Sequence, residues 1–435
     1  MKRGIVFILI LSITSALGAN PMKNTKQITY YTTEDIEVPF VLEQSDNLPI
    51  IQLDIIFNNA GSLKDSIPGL ANFTSDMLEE GTKNKPFGLF HEELEQRAIS
   101  LSAHNGRETF VFSLSCLLEE FNSGAKLLQE LLNEPNLTQP AYEKVATQIK
   151  SSILEKEQDF DSVASKQLSA AIFAKTPFEY PKIGTLASIE KITLKDISTF
   201  LKDNLTLNNA TVVLGGKFDE KQIKTIQKIL KTLPKKDTTP ITKYAMVTKP
   251  ISKTVYKDTE QAYIYFASPY HIDVNAPDIH KAKVAMFVLG SSGFGSRLME
   301  EIRVKKGLAY SIYASLDVEK SRSLMSGYMQ TKIENEKEAI QIIKDEIAQF
   351  IDKGVSEQEL SSAKKFIVGS EPLRNETMSQ RLSFAFNEFY KELGEDSQKK
   401  FLHNVENLTL KELNSFVKEH KEILELSFSI VTAKK

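Results

Sequence analysis

The segment Ile189-Glu-Lys-Ile-Thr-Leu-Lys-Asp-Ile-Ser-Thr-Phe-Leu-Lys202 recurs, position for position in residue character, as Val405-Glu-Asn-Leu-Thr-Leu-Lys-Glu-Leu-Asn-Ser-Phe-Val-Lys418. In each copy a threonine, Thr193 or Thr409, precedes an acidic residue by three positions, which is the pattern of a helix capping box. A strand-like apolar run follows both copies. A repeat of about 216 residues is too long for a solenoid. The sequence therefore predicts a duplicated domain.

Strand and helix signals alternate in both halves of the chain. Apolar runs at Ile50-Ile-Gln-Leu-Asp-Ile-Ile-Phe57 and Gln261-Ala-Tyr-Ile-Tyr-Phe266 predict strands, whereas Ala339 to Ile351 carries apolar residues at helical spacing. The dipeptide Asn105-Gly106 favours an antiparallel hairpin. The expected fold class is α+β, built as two similar domains.

The boundary between the two domains is predicted from composition. Pro234-Lys-Lys-Asp-Thr-Thr-Pro240 and the later Lys249-Pro250 are polar and rich in proline, as domain linkers commonly are. We therefore expect a first domain over residues 20–233, a linker over 234–253 and a second domain over 254–435.

The beginning of the chain, residues 1–19, has the pattern of a secretory signal peptide. Lys2 and Arg3 precede an apolar run that ends in small residues up to Ala19. The run is short for a transmembrane helix, so we expect no stable membrane insertion. An uncleaved signal anchor is the alternative.

Composition limits the classes of function. The chain has 435 residues, of which 41% are hydrophobic, and a net charge of −3 with both signs intermixed. This balance gives no electrostatic case for nucleic acid or an anionic membrane as a partner. The only cysteine, Cys116, cannot form an intramolecular disulfide and is expected to be a small buried apolar residue.

The segment from Gly69 to Thr82, Gly-Leu-Ala-Asn-Phe-Thr-Ser-Asp-Met-Leu-Glu-Glu-Gly-Thr, predicts a short helix. Pro68 suits the first helical position, apolar residues recur at helical spacing, and Gly81 suits the end. Its polar side chains are expected to form an ordinary exposed helix face.

This segment resembles the zinc-binding helix of the pitrilysin/insulinase peptidases, the M16 family, with the metal chemistry replaced. In that family the helix carries two histidines, one turn apart, that hold zinc, and between them a glutamate that acts as general base. Asn72 and Asp76 stand at the histidine positions, and Ser75 stands at the position of the base. The resemblance therefore implies that this chain is not itself a protease.

The third zinc ligand of the family is a glutamate, and the resemblance places Ser152 at its position, with Glu155 and Glu157 close by. A catalytic zinc site needs three protein ligands, and a neutral amide is a poor one. None of the six histidines is three or four residues from another, so no other helical zinc site is expected. A hard cation at Asn72 and Asp76 would have too few ligands. We expect no cofactor in this chain.

A second segment keeps the chemistry of the family. Leu289-Gly-Ser-Ser-Gly-Phe-Gly-Ser-Arg-Leu-Met-Glu-Glu-Ile-Arg-Val-Lys-Lys-Gly-Leu-Ala-Tyr-Ser-Ile-Tyr313 predicts a glycine-rich loop, a helix to about Lys306 and a strand from Leu308. The loop lacks the known phosphate-binding fingerprints, so a turn before a helix is favoured. Arg303 and Tyr310 are seven residues apart across a tight turn, so their side chains are expected to converge.

In the family, this spacing is that of an arginine/tyrosine pair that grips the backbone of the substrate. The guanidinium group of Arg303 and the hydroxyl group of Tyr310 can both donate hydrogen bonds to a peptide carbonyl. The alternative is structural, because a cation is favourable at any helix C-terminus and tyrosine is common in strands.

The resemblance covers essentially the whole mature chain. It implies two duplicated domains, each a mostly antiparallel sheet with helices packed on one side. Some family peptidases are two-chain assemblies in which one chain holds zinc and the other holds the arginine/tyrosine pair. We therefore expect a non-catalytic, substrate-binding subunit of an exported heterodimeric zinc metallopeptidase in the periplasm, whose partner supplies zinc and base.

The expected substrate is a peptide, held as an added strand near Ser100-Leu-Ser-Ala-His104. Two alternatives stay open. In the first, the chain is a non-enzymatic scaffold or peptide-holding protein that can form a homodimer. In the second, it is an active peptidase with an unorthodox site.

Overall fold

The computed structural model describes residues 26–394 and 396–434. The predicted signal peptide therefore lies outside the described residues. Within these ranges, every helix is too short or too polar to span a lipid bilayer. The described chain forms two β-sheets, each packed against helices.

The first half of the chain supplies the first sheet and the helices around it. Its strands are β1 (Lys26–Thr33), β2 (Ile36–Gln44), β3 (Ile50–Asn58), β4 (Ser100–Asn105), β5 (Thr109–Leu117) and β6 (Ala210–Gly216). Its helices are α1 (Leu70–Leu78), α2 (Phe87–Gln96), α3 (Phe121–Asn133), α4 (Gln139–Gln158), α5 (Phe160–Ile172), α6 (Leu186–Ile189), α7 (Leu194–Asn204) and α8 (Glu220–Leu230).

The second half supplies the second sheet. Its strands are β7 (Ser252–Tyr256), β8 (Gln261–Pro269), β9 (Ile312–Val318), β10 (Ser323–Lys332) and β11 (Ser427–Thr432). Its helices are α9 (Ile279–Met286), α10 (Arg297–Met299), α11 (Glu336–Lys353), α12 (Glu357–Gly369), α13 (Glu371–Arg374), α14 (Met378–Tyr390), α15 (Ser397–Asn407) and α16 (Leu410–Glu419). Two π-helical segments, Phe287–Ser291 and Glu300–Lys305, flank α10.

Apart from the additional edge strand β1 in the first, the two sheets share one topology, which confirms the predicted duplication and the α+β class. The first sheet has the order β1-β2-β6-β3-β5-β4, and the second has the order β7-β11-β8-β10-β9. In each sheet the last strand of that half, β6 or β11, lies between a parallel and an antiparallel neighbour. The remaining described pairs are antiparallel. Each sheet is therefore mostly antiparallel, as expected.

The repeated segment forms the same local structure twice. Thr193 caps α7, and Thr409 caps α16, each in a capping box with the acidic residue three positions later. The helix then leads into the central strand of its sheet. The predicted hairpin at Asn105-Gly106 is also present, since it joins the antiparallel strands β4 and β5.

The second face of each sheet is partly covered by a helix from the opposite half, a feature the sequence did not predict. Leu382 and Ala385 of α14 pack on Val41, Ile56 and Val213 of the first sheet. In return, α5 of the first half packs against β8 and β11 of the second sheet. The two halves are therefore joined through their apolar cores.

Two buried carboxylates of the first half are hydrogen-bonded by the second half. Glu43 accepts from Arg381, whose Nη2 and Nε atoms lie 2.6 and 3.0 Å from Oε1. Glu108 accepts from the backbone N–H of Ser321 at 2.8 Å and from the hydroxyl of Tyr390 at 2.6 Å. Because buried charges require such partners, these contacts fix how α14 lies on the first sheet.

Part of the segment predicted as a linker forms ordered contacts with both halves. Strand β7 begins at Ser252, inside the range predicted as linker. Met246 is buried. The backbone N–H of Tyr244 donates to the backbone oxygen of Ser321, and the backbone N–H of Val247 donates to the backbone oxygen of Ile172. These contacts dock the connecting segment against both halves.

Candidate functional site

Helix α1 carries the residues that stand at the zinc-chemistry positions. It begins at Leu70, two residues later than predicted from Pro68, because Gly69 adopts a left-handed conformation with φ of 96°. The carboxylate of Asp65 accepts hydrogen bonds from the N–H groups of Gly69 and Ala71 at 2.9 and 2.8 Å. Backbone N–H groups at the start of the helix therefore find their acceptor in a side chain from outside the helix.

The structure brings three of the four candidate positions together. Asn72 Nδ2 donates to Asp76 Oδ2 at 2.9 Å along the helix. The hydroxyl of Ser75 lies 2.8 Å from the backbone oxygen of Asn72 and 3.3 Å from Oδ1 of Asn105 on β4. The expectation of an exposed helix face is wrong, because Ser75 is buried and Asn72 and Asp76 are half-buried.

The fourth position, Ser152, lies on α4, which packs beside α1 through the stacked rings of Phe73 and Tyr142. The Ser152 side chain is half-buried, and none of its described contacts is a hydrogen bond to the other three positions. Neighbouring Glu155 is exposed, and Glu157 pairs with Lys166 at 3.6 Å. Neither glutamate is joined to α1 in the described ranges.

The donor set does not fit zinc. It consists of one carboxylate, one neutral amide and hydroxyl groups, whereas catalytic zinc is held by three histidine, cysteine or carboxylate ligands. Within residues 26–394 and 396–434, no three such side chains are grouped closely enough to hold a metal ion. The amide of Asn72 also already bonds to Asp76.

A lysine takes part in this centre. Lys182 Nζ donates to the backbone oxygen of Asn105 at 2.8 Å, and its positive charge acts on Asp76. Burial lowers the pKa of Lys182, and the nearby charge of Arg107 lowers it further. Burial, together with the charge of Glu79, raises the pKa of Asp76 to about 6. The ammonium group of Lys182, bonded to Asn105, therefore acts electrostatically on a carboxylate that accepts a proton at a higher pH than an ordinary aspartate does.

The raised pKa of Asp76 predicts a pH-dependent stability. The pKa of Asp76 is about 6 in the folded protein, compared with 3.8 for an ordinary aspartate in the unfolded chain. Protonation of Asp76 therefore stabilises the fold fully below pH 3.8, and this stabilisation is lost as the pH rises through 6. An Asp76→Asn variant should be more stable than the native protein by about 1–2 kcal/mol at pH 8. Urea denaturation should show this difference shrinking toward pH 4, whereas the exposed Asp352→Asn control should show no such trend.

Arg303 and Tyr310 lie side by side on the surface of the second half. The guanidinium carbon of Arg303 is 4.4 Å from the centre of the Tyr310 ring. Tyr310 is 81% exposed. In the described residues the guanidinium forms no ion pair or hydrogen bond, so its N–H groups are free to bind a ligand.

Phe294 is a third member of this arrangement, and the sequence reasoning missed it. The Phe294 ring centre lies 4.5 Å from the guanidinium carbon, so Arg303 is within cation–π distance of two rings. Phe294 is 72% exposed and lies between Gly293 and Gly295, whose φ angles are 67° and 93°. A large apolar residue between two glycines was the signal available in the sequence.

The local backbone differs from the prediction. The predicted helix is present only as α10 and the π-helical turns that follow, and Gly307 ends it with φ of 61°. Strand β9 begins at Ile312 rather than Leu308, which leaves Tyr310 in the connection and not on the strand. Short π-helical segments are often found at functional sites.

The vacated centre and the Arg303/Tyr310 pair lie in different halves. No described hydrogen bond, ion pair or ring contact joins one to the other. The structure therefore presents two separate sites on one chain. The first lacks a set of zinc ligands, and the second has guanidinium N–H groups that no described residue uses.

Comparisons with known proteins agree with this geometry. Residues 41–186 match the family described as "Insulinase (Peptidase family M16)", and residues 191–367 match "Peptidase M16 inactive domain". The chain is 40% identical to the "Non-peptidase homolog YmxG" of Helicobacter pylori, over 97% of this chain and 98% of that protein.

Two solved structures show the same fold. One is described as a peptidase M16 inactive domain from Pseudomonas fluorescens, with a TM-score of 0.85, 22% identity, and coverage of 94% of this chain and 98% of that one. The other is a protease from Helicobacter pylori, with a TM-score of 0.79, 16% identity, and coverage of 94% and 100%. The chain belongs to the M16 peptidase family, as one of its inactive members.

Proposed function

We propose that this chain is the non-catalytic, substrate-binding subunit of an exported heterodimeric zinc metallopeptidase. The observation that carries the proposal is the combination of a zinc centre without a set of zinc ligands and a half-buried arginine, Arg303, whose donors are unpaired within the described residues. A surface arginine held by two aromatic rings, without a carboxylate partner, is suited to bind a group from another molecule.

The ligand chemistry follows from the geometry of the donors. The rings of Phe294 and Tyr310 contact the guanidinium group of Arg303, while its N–H groups are not used by described residues. The guanidinium N–H groups can only donate hydrogen bonds, and the hydroxyl of Tyr310 can donate one. Their natural acceptors are peptide carbonyl groups or a terminal carboxylate. The aromatic rings add apolar surface for a substrate side chain.

The partner in this proposal is a second M16 chain that carries the zinc ligands and the general base. It supplies the metal chemistry, and the present chain supplies peptide binding. The pattern of residues 1–19 supports export, and we place the assembly in the periplasm.

Affinity purification from the native envelope fraction tests the proposal. The mature chain should co-purify with a stoichiometric second chain that carries a His-x-x-Glu-His segment and bound zinc. Mass spectrometry of the eluate and metal analysis provide the readouts. Recovery of the chain alone, or only with copies of itself, would contradict the heterodimer.

A scaffold role is the second candidate. It is supported by the exposed apolar side chains of Phe294, Val304 and Tyr310, which could contact a folded partner instead of a peptide. A scaffold predicts that the chain assembles with other proteins while alanine at Arg303 changes no peptide binding. Fluorescence anisotropy with a labelled unstructured peptide distinguishes the two roles.

A further inference from the structure

Strand β4 forms one edge of the first sheet, and its outer edge is where a peptide strand would add. β4 pairs only with β5 in the described sheet. The N–H of Gly106 donates to the oxygen of Thr109 on the β5 side. Because the direction of backbone N–H and C=O groups alternates along a strand, those of Ala103 and Asn105 point away from β5, toward the outer edge of β4.

Both of these outward-pointing residues are already bonded to side chains of the same protein. The N–H of Ala103 donates to Glu79 Oε1 at 3.0 Å. The backbone oxygen of Asn105 accepts from Lys182 Nζ at 2.8 Å. The carboxylate thus replaces the carbonyl of an added strand, and the ammonium replaces its N–H.

We propose that Glu79 and Lys182 form a side-chain plug that keeps the outer edge of β4 closed to an added peptide strand. This inference deepens the proposed function, on which it rests for the choice of an extended peptide as occupant. It changes the prediction of strand addition at residues 100–104, because that edge accepts a peptide only after the plug is removed.

The surroundings explain why the plug holds. Ala103 and Asn105 are buried, whereas Glu79 is half-buried, Lys182 is exposed, and both side chains reach the edge from outside the sheet. Glu79 follows directly after α1, and Lys182 lies in the loop before α6, so each comes from a different segment. A strand edge covered by charged side chains is a known protection against unwanted pairing.

The first test measures the plug without any peptide. Hydrogen exchange of the Ala103 amide should become at least tenfold faster in Glu79→Ala, because its acceptor is removed. Glu79→Gln keeps an oxygen acceptor and should preserve slow exchange, and the exposed Glu95→Ala control should match the native protein. Unchanged exchange in Glu79→Ala would overturn the proposal.

The second test measures strand addition. The probe is an unstructured, proline-free twelve-residue peptide with a lysine at each end, added to chains that carry Arg303→Ala so that the second half contributes no binding. In this background the Glu79→Ala/Lys182→Ala variant should bind the probe at least tenfold more tightly and should show probe-dependent protection of residues 100–105.

The matched control is the exposed pair Glu95→Ala/Lys191→Ala, which should behave like the parent. Equal protection of residues 100–105 by the probe in plugged and unplugged chains would overturn the proposal, as would no protection in the unplugged chain. Loss of the proposed partner or of Arg303-dependent binding leaves these readouts unaffected, so failure of the proposed function is seen separately.

Discussion

Replacing Arg381 by methionine is expected to lower the free energy of unfolding by about 3–5 kcal/mol. The side chain of Glu43 is only 2% exposed, and Arg381 supplies its ion pair from the opposite half of the chain. Without the guanidinium group, the carboxylate stays buried without its charged partner. Urea denaturation at pH 7.5 provides the measurement.

Two controls separate the buried charge from lost packing. Lys217→Met removes a surface ion pair with Asp46, in which both side chains are more than 40% exposed, and should cost no more than about 1 kcal/mol. The double variant Glu43→Met/Arg381→Met removes both charges and should recover most of the loss. A double variant as unstable as Arg381→Met would contradict this explanation.

If the proposed two-chain peptidase forms, replacing Arg303 by alanine is expected to reduce its kcat/KM by roughly 10-fold to 100-fold, because a charge-assisted hydrogen bond contributes about 1.5–3 kcal/mol. Tyr310→Phe removes only the hydroxyl and should cost roughly 2-fold to 10-fold. Both variants should still assemble with the partner, since both side chains are on the surface. Peptide cleavage and size-exclusion chromatography give the two readouts.

Nearby substitutions show whether the effect belongs to the stacked arrangement. Lys305 has the same charge and lies two residues from Arg303, but it pairs with Glu301, so Lys305→Ala should keep full activity. Arg303→Lys should not restore activity, because an ammonium group lacks the planar fork that stacks on Phe294 and Tyr310. Native kinetics in both Arg303→Ala and Tyr310→Phe would refute the role assigned to the pair.

The duplicated fold was predictable because its signals are local. The capping threonines Thr193 and Thr409 mark the same helix twice, and each helix leads into the same central strand position. Cys116 was likewise predicted to be buried, and burial raises the pKa of its thiol to about 11. The packing of α14 on the first sheet was not predictable, because it joins segments that are distant in the sequence.

The candidate site was predictable only in part, for the same reason. Asn72, Ser75 and Asp76 follow from one helical turn, and the structure brings them together. The contact of Lys182 with β4 depends on tertiary folding, and no spacing in the sequence reveals it. Phe294 reaches Arg303 because its glycine neighbours adopt positive φ angles, which a residue pattern shows only as a turn.

The most direct test of a split enzyme is a reconstitution that measures bound zinc and peptide cleavage on the same samples. The purified chain alone should bind no stoichiometric zinc and cleave no peptide. The complex with the co-purifying partner should contain one zinc per pair and cleave the peptide. Stoichiometric zinc and turnover in the isolated chain, both lost in an Asp76→Ala variant, would contradict the account.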